Sequence, residues 1–247
     1  MFSLKEEFEA PESFHFKVTL LYHKSTACLN NSTKLKDKFI HKGMRKRLVE
    51  TLKAKGIQDK DVLEAIGNVP RHLFMESGFI QHAYEDKAFP IGADQTISQP
   101  YTVARQTELL NVKKGDKILE IGTGSGYQAA VLLEMGAAVY TIERQNELFK
   151  KVNLFLPKIG YYPKRIIFGD GYKGLESEAP FDGIIVTAGA PFVPEPLLAQ
   201  LGIGAKLVIP VGEDVQIMTV FTRKSETEFV KEEFGEYRFV PLLEDKN

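Results

Sequence analysis

Apolar positions recur at two different periods along this chain, and the change of period divides it. Met44, Leu48 and Leu52 lie four apart, which places them on one face of a helix, and Gly56 offers a stop. Asp59 is a candidate cap for a second helix that carries Val62, Leu63 and Ile66 on one side, with Pro70 ending it. A third, short helix is expected over 72–78. Residues 88–99 hold neither period and are punctuated by Pro90, Gly92 and Pro100, so they read as loop. Helical spacing resumes at Pro100 and runs through Val103, Leu109 and Leu110.

Beyond Lys117 the pattern alternates. Short apolar runs at 117–121, 138–142, 165–168, 183–186 and 206–211 have strand character, and helical patterns at 127–135, 146–156 and 195–201 separate most of them. Such alternation predicts an α/β fold, a doubly wound, mostly parallel sheet covered on both faces. Two further strands, 216–222 and 228–240 with a polar turn over 224–227, are expected to form an antiparallel pair at the sheet edge. The N-terminal helices then make a helical cap with an active-site loop over 44–111, ahead of a core over 112–247.

Residues 1–43 stand apart. Glu6, Glu7, Glu9 and Glu12 make the start acidic, while Lys34, Lys36, Lys38 and Lys42 make the end basic. The apolar run 14–22 is too short, and too acidic upstream, for a signal peptide. The segment reads as a poorly ordered extension or as sequence ahead of a start at Met44; a weakly packed strand is the competing reading.

Charge and composition narrow the function. A net charge of −1 creates no global field toward nucleic acid or an anionic membrane. The run Arg45-Lys46-Arg47 lies on a helix pattern and reads as a solvated face. The single cysteine, Cys28, excludes an internal disulfide and fits a reducing, cytoplasmic setting. All five histidines precede residue 83, which removes a metal cluster, a Cys nucleophile and a His base from the second half of the chain.

That half holds the most informative stretch, Ile118-Leu119-Glu120-Ile121-Gly122-Thr123-Gly124-Ser125-Gly126-Tyr127. A strand pattern turns through three alternate glycines into a helix pattern, which brings backbone close to a ligand. Tyr127 stands where a dinucleotide fingerprint has Gly or Ala. Glu120, two places before the first glycine, suits a cofactor with a cationic end and no pyrophosphate, hence S-adenosylmethionine. A ligand-free glycine turn is the alternative.

Two more candidates fall at the same sheet edge. Glu143 follows the second strand, 21 residues past Gly122, and is placed to accept from both ribose hydroxyls; an ion pair with Arg144 competes. Asp170, within Gly169-Asp170-Gly171, is placed to accept from the exocyclic amine of adenine; a plain turn competes. The loop Gly92-Ala93-Asp94-Gln95-Thr96-Ile97-Ser98-Gln99-Pro100-Tyr101 clusters hydroxyls and amides ahead of a helix, where Ser98 or Gln99 is also a candidate cap.

Together these segments resemble the protein-L-isoaspartate O-methyltransferases. The likeness is carried by Pro90-Ile91-Gly92 with Gln95 to Tyr101, by Leu119 to Tyr127, and by Gly169-Asp170-Gly171. It continues through Pro180-Phe181-Asp182, Val186-Thr187-Ala188, Val208 to Gly212 and Arg238-Phe239-Val240-Pro241-Leu242. It spans about Met44 to Leu243, and the Thr96-Ile97-Ser98-Gln99-Pro100 loop is its most specific part. The extension before Met44 departs from the pattern.

The resemblance implies a Rossmann-like methyltransferase that uses S-adenosylmethionine, with no metal. It implies methylation of the free α-carboxylate of L-isoaspartyl residues in damaged proteins and peptides; separately, a monomer is expected. Ser98 is the implied catalytic residue. Cofactor contacts are expected from Gln95, Thr96, Ile97, Ser98, Glu120, Gly122, Thr123, Gly124, Ser125, Gly126, Glu143, Arg144, Asp170 and Gly171. Substrate contacts are expected from Ile97, Ser98, Val211 and Gln216.

Three rivals remain. A dinucleotide-dependent oxidoreductase is disfavoured by Tyr127. A nucleic-acid methyltransferase is disfavoured by Thr187-Ala188-Gly189-Ala190-Pro191, which lacks an Asn/Asp-Pro-Pro-aromatic signature. A scaffold without activity is disfavoured by the intact Ser98, Glu143 and Asp170.

Overall fold

A computed structural model describes residues 37–245. Helix α1 spans Phe39–Ala54, so the expected boundary before Met44 falls inside a helix. The rest of the expected N-terminal extension lies outside the described residues. The reading of Arg45 as part of a solvated run needs correction, because Arg45 is only 6% exposed. Its Nε donates to Gly67 O (2.6 Å), and its two terminal nitrogens donate to the Asp37 carboxylate (3.1 and 2.9 Å) and to Tyr84 Oη. A guanidinium with that many acceptors tolerates burial, whereas the run alone gives no hint of them.

Helix α2, Lys60–Asn68, starts as its cap predicts: Asp59 Oδ1 accepts from the backbone N–H of Asp61 and Val62. In place of one short helix over 72–78 there are two 3-10 turns, Arg71–Phe74 and Ser77–His82. The segment 88–99 is not plain loop. Strands β1 (Phe89–Gly92) and β2 (Gln95–Ile97) pair antiparallel across a turn in which Ala93 and Asp94 both have positive φ, 49° and 54°. That is the backbone a tight hairpin needs, but Ala is a poor sequence marker for it. Helix α3 covers Pro100–Leu110.

The main sheet has seven strands. In chain order come β3 (Lys117–Ile121), α4 (Tyr127–Glu134), β4 (Ala138–Glu143), α5 (Asn146–Lys158), β5 (Arg165–Phe168), β6 (Phe181–Val186), α6 (Glu195–Ala199), β7 (Leu201–Val211), β8 (Gln216–Arg223) and β9 (Phe229–Tyr237). Their spatial order is β5-β4-β3-β6-β7-β8-β9; β3 to β7 run parallel, and β8 and β9 are antiparallel. β7 begins earlier than its pattern predicts, because Gly202 and Gly204 blank the apolar alternation where the register with β6 shifts.

Side chains of β3 alternate between two cores. Ile118 packs with Leu109 and Leu110 of α3 and with Ala129 and Leu132 of α4. Leu119 and Ile121 pack on the opposite side with Leu197 of α6 and Ile184 of β6. Burying each such side chain contributes about 1.5–3 kcal/mol, and this fixes the register of the strand between two helical layers. The chain moves outward from β3 to β4 and β5, then returns to the other side of β3 with β6. A crevice therefore opens beyond the carboxyl ends of β3 and β6.

Candidate active site

A cleft of about 840 Å³ occupies that crevice. Its floor is the turn between β3 and α4, where Gly122, Gly124 and Gly126 have φ of 96°, 52° and 83°. At Gly122 a Cβ would stand 2.5 Å from Thr187 Oγ1, on the loop after β6. That hydroxyl donates to Gly122 O at 2.7 Å, so the glycine lets the two strand ends close on each other. Gly126 serves packing: a Cβ there would meet Val152 of α5 at 2.8 Å, and the residue does not line the cleft.

Four backbone N–H groups of this turn are already committed. Gly122 and Thr123 donate to Ile142 O, Gly126 donates to Thr123 O, and Gly124 donates to Glu143 Oε2 at 2.8 Å. A phosphate cradle needs such groups free and no carboxylate beside them. With those four groups engaged and the Glu143 carboxylate among their acceptors, the turn suits pyrophosphate poorly, which adds to the case from Tyr127 against a dinucleotide.

Glu143 ends β4, lines the cleft and is 4% exposed. One oxygen accepts from Gly124 N and the other from Gln145 N, both at 2.8 Å. Each oxygen keeps a further lone pair, a pair of acceptor sites to which the two hydroxyls of a vicinal diol can donate. Arg144 also lines the cleft but does not pair with Glu143. Its Nε and Nη2 donate to the carbonyls of Asp245 and Glu244, 3.0 and 3.4 Å away, and so hold the C-terminal tail. That tail supplies Val240, Pro241, Leu242 and Leu243 to the cleft wall and is pinned where Leu242 N donates to Gly189 O.

Ser98 follows β2 and reaches the cleft together with Gln95, Thr96 and Ile97. Neither Ser98 nor Gln99 caps α3 through its side chain; the backbone N–H of Tyr101 donates instead to Asp86 Oδ1 at 2.7 Å. The hydroxyl of Ser98 makes no hydrogen bond among the described residues. An open groove of about 1240 Å³ lies alongside, walled by Gln99, Tyr101, Val215 and residues 234–240. Thr96, Ser98, Thr187 and Val240 line both spaces.

Eleven of the expected residues thus gather on one cleft: Gln95, Thr96, Ile97, Ser98, Gly122, Thr123, Gly124, Ser125, Glu143, Arg144 and Gly171. Five stand back from it. Gly126 packs α4 on α5, as described. Asp170 is 8% exposed; its Oδ1 accepts from Tyr172 N and its Oδ2 pairs with Lys173, while its neighbour Gly171 lines the cleft. Val211 lines neither space, and Gln216 is buried, accepting from Phe239 N at 2.9 Å; the neighbouring Val215 takes the wall position instead.

Glu120 is the fifth. It faces the sheet interior, wholly buried, with Oε2 2.6 Å from Thr141 Oγ1. Desolvation pushes its carboxyl up to about 8, against the pull of the Thr141 hydrogen bond. It does not reach the cleft as a counter-ion. Lining residues absent from the expected set include Gln106, Gln128, Thr187 and the tail 240–243. Apart from the cleft, Asp37, His41 and His72 hold possible metal-ligand atoms within 4.8 Å of one another, but both oxygens of Asp37 already accept from Arg45.

Comparison with known proteins places the chain in a family. The family model described as protein-L-isoaspartate(D-aspartate) O-methyltransferase (PCMT) matches residues 43–247. A protein-L-isoaspartate O-methyltransferase of Christiangramia forsetii is 67% identical over 213 residues, covering 86% of this chain and 100% of that protein. One from Cytophaga hutchinsonii is 54% identical over 210 residues, covering 85% and 95%. A solved beta-aspartate methyltransferase (PCMT) of Plasmodium falciparum, in complex with S-adenosyl-L-homocysteine, superposes with a TM-score of 0.70 at 29% identity, covering 81% of this chain and 98% of that one. The chain belongs to the protein-L-isoaspartate(D-aspartate) O-methyltransferase family.

Proposed function

We propose that this chain transfers the methyl group of S-adenosylmethionine to the free α-carboxylate of L-isoaspartyl residues in damaged proteins and peptides, initiating their repair. The residues of the cleft fit that cofactor. Glu143 offers one acceptor site to each of two neighbouring hydroxyls, and the committed N–H groups of the turn suit a ligand without phosphate. Bound there, the cofactor supplies an electrophilic methyl on a sulfonium, which leaves as the neutral thioether once the methyl has passed to oxygen.

The observation that carries the reading is the junction at Ser98. Ser98 lines both the cleft and the open groove, so one residue stands between a methyl donor on one side and a peptide on the other. The acceptor carboxylate is ionised at neutral pH, with an ordinary pKa near about 4, and needs no base. Ser98 then donates to one carboxylate oxygen and aims the other. Opposite charges neutralise as the methyl moves, so a site shielded from water favours the reaction, and positioning of this kind is worth up to about 7–11 kcal/mol. Thr187 and Val240 complete the neck between the two spaces.

The same reading has a monomer acting in the cytoplasm without a metal. A cleft built wholly from one chain supports the first, and a single cysteine supports the second. Among the described residues no helix is long and apolar enough to cross a membrane. Labelled S-adenosylmethionine with paired isoaspartyl and aspartyl peptides tests the proposal. Methyl ester is expected on the isoaspartyl peptide alone, with Ser98→Ala lowering turnover by about tenfold or more. Equal labelling of both peptides, or none, refutes it.

A further inference from the structure

The transfer chemistry uses Glu120 nowhere, yet a carboxyl group in the middle of a sheet is costly to keep. Glu120 is flanked in register by Thr141 on β4 and Ile185 on β6. Its Oε2 lies 2.6 Å from Thr141 Oγ1, and Thr141 Oγ1 lies 2.6 Å from Thr123 Oγ1. Thr123, although only 3% exposed, lines the cleft. Three side chains thus carry hydrogen bonds in single file from the sheet interior to the cofactor cavity.

Each hydroxyl has one proton to give, so the file has a direction, and only two directions exist. With Glu120 ionised, Thr141 donates to Glu120, Thr123 donates to Thr141, and Thr123 turns only lone pairs to the cleft. With Glu120 protonated on Oε2, the carboxyl donates to Thr141, Thr141 donates to Thr123, and Thr123 donates into the cleft.

We infer that Glu120 is a positioning residue for the cofactor: a carboxylic acid that keeps its proton so that Thr123 presents a hydroxyl donor to an acceptor of S-adenosylmethionine, of which the cofactor's carboxylate is the strongest. The inference rests on the cofactor reading above. The surroundings favour the protonated state. Burial is the main cause of the raised pKa, and the charge of Glu143, also on β4, acts the same way. Glu143 is the ionisable group that bears on Glu120 among the described residues; α4 adds the backbone of Ala129, and β6 adds the apolar Ile185.

Calorimetric titration of the whole chain with S-adenosylhomocysteine and with S-adenosylmethionine, from about pH 7 to about pH 9.5, tests this. The amine of each ligand titrates in the same range and does so against every variant, so the readout is the ratio of wild-type to Glu120→Gln affinity. The Gln side chain donates to Thr141 at every pH. The ratio is expected to fall by about tenfold across the range for both ligands, as the wild type loses the donated hydrogen bond. Thr141→Ser should keep that step and Thr141→Val should abolish it, a pattern that a merely structural role for Glu120 does not produce.

A ratio constant within about twofold overturns the inference. So does a ratio that rises with pH for the sulfonium ligand and stays flat for the thioether, because that marks a through-space charge effect. Absence of binding by either ligand at neutral pH removes the cofactor reading and this inference with it, an outcome distinct from binding without the step.

Discussion

Replacing Glu120 by Gln gives a stability prediction whose size follows from the structure. The native carboxyl holds its proton up to about 8, whereas an exposed carboxyl gives it up near 4.5. Between those values the native state binds one more proton than the unfolded state, so stability falls as pH rises; below the lower value the penalty is absent, and above the upper one it stops growing. The slope is about 1.4 kcal/mol per pH unit. From about pH 5.5 to about pH 7.5 the wild type should therefore lose about 2.5 kcal/mol relative to Glu120→Gln, which has no proton to exchange. Comparing the change in each protein, rather than absolute stabilities, cancels the cost of seating an amide where an acid stood. Urea unfolding of both proteins at the two pH values measures it. If the two lose stability in parallel, to within about 0.5 kcal/mol, the carboxyl is ionised in the native state and the reasoning fails.

Two other substitutions probe the cleft. Glu143→Ala removes the acceptor of two backbone N–H groups and of the expected ribose hydroxyls, so affinity for S-adenosylhomocysteine should drop by about 3 kcal/mol, roughly a hundredfold; an unaltered Kd in calorimetry rules out the ribose role. Gly122→Ala forces a Cβ to 2.5 Å from Thr187 Oγ1 at a positive φ and should cost about 1–3 kcal/mol. Part of the lowered Tm should return in the double variant with Thr187→Ala, and a single variant as stable as the wild type contradicts the contact.

How far the sequence could be read depended on whether a feature was local. The β3–α4 turn, the Asp59 cap and the alternation of strands with helices are written in neighbouring residues, and each is found where its pattern lies. The β1–β2 hairpin escaped because its strands are too short for a period and its turn uses Ala93 at positive φ. Arg45 looked solvated because its acceptors, Asp37, Gly67 and Tyr84, come from separate segments. Glu143, expected from its place after β4, and Ser98, expected from the resemblance, both line the cleft, but residue type could not tell Glu120 from a counter-ion. The side of a strand on which a carboxylate falls depends on the facing layers, and in β3 the residues on either side, Leu119 and Ile121, face the other way. Thr187 and the 240–243 wall were missed because long-range folding alone brings them to the glycine turn.

That wall bears on biosynthesis. The floor of the cleft is laid down at Gly122, but Leu242, which closes it, leaves the ribosome only after β4 to β9 have been made. Contacts so far apart in the chain form late, since the long intervening loop must close before they are rewarded. A nascent chain can thus assemble most of its parallel sheet and still lack a complete seat for the cofactor. Ligand affinity in this enzyme thus reports on the wall as well as the floor, since a chain clipped ahead of Pro241 keeps the glycine turn but lacks the Leu242 side of the cleft.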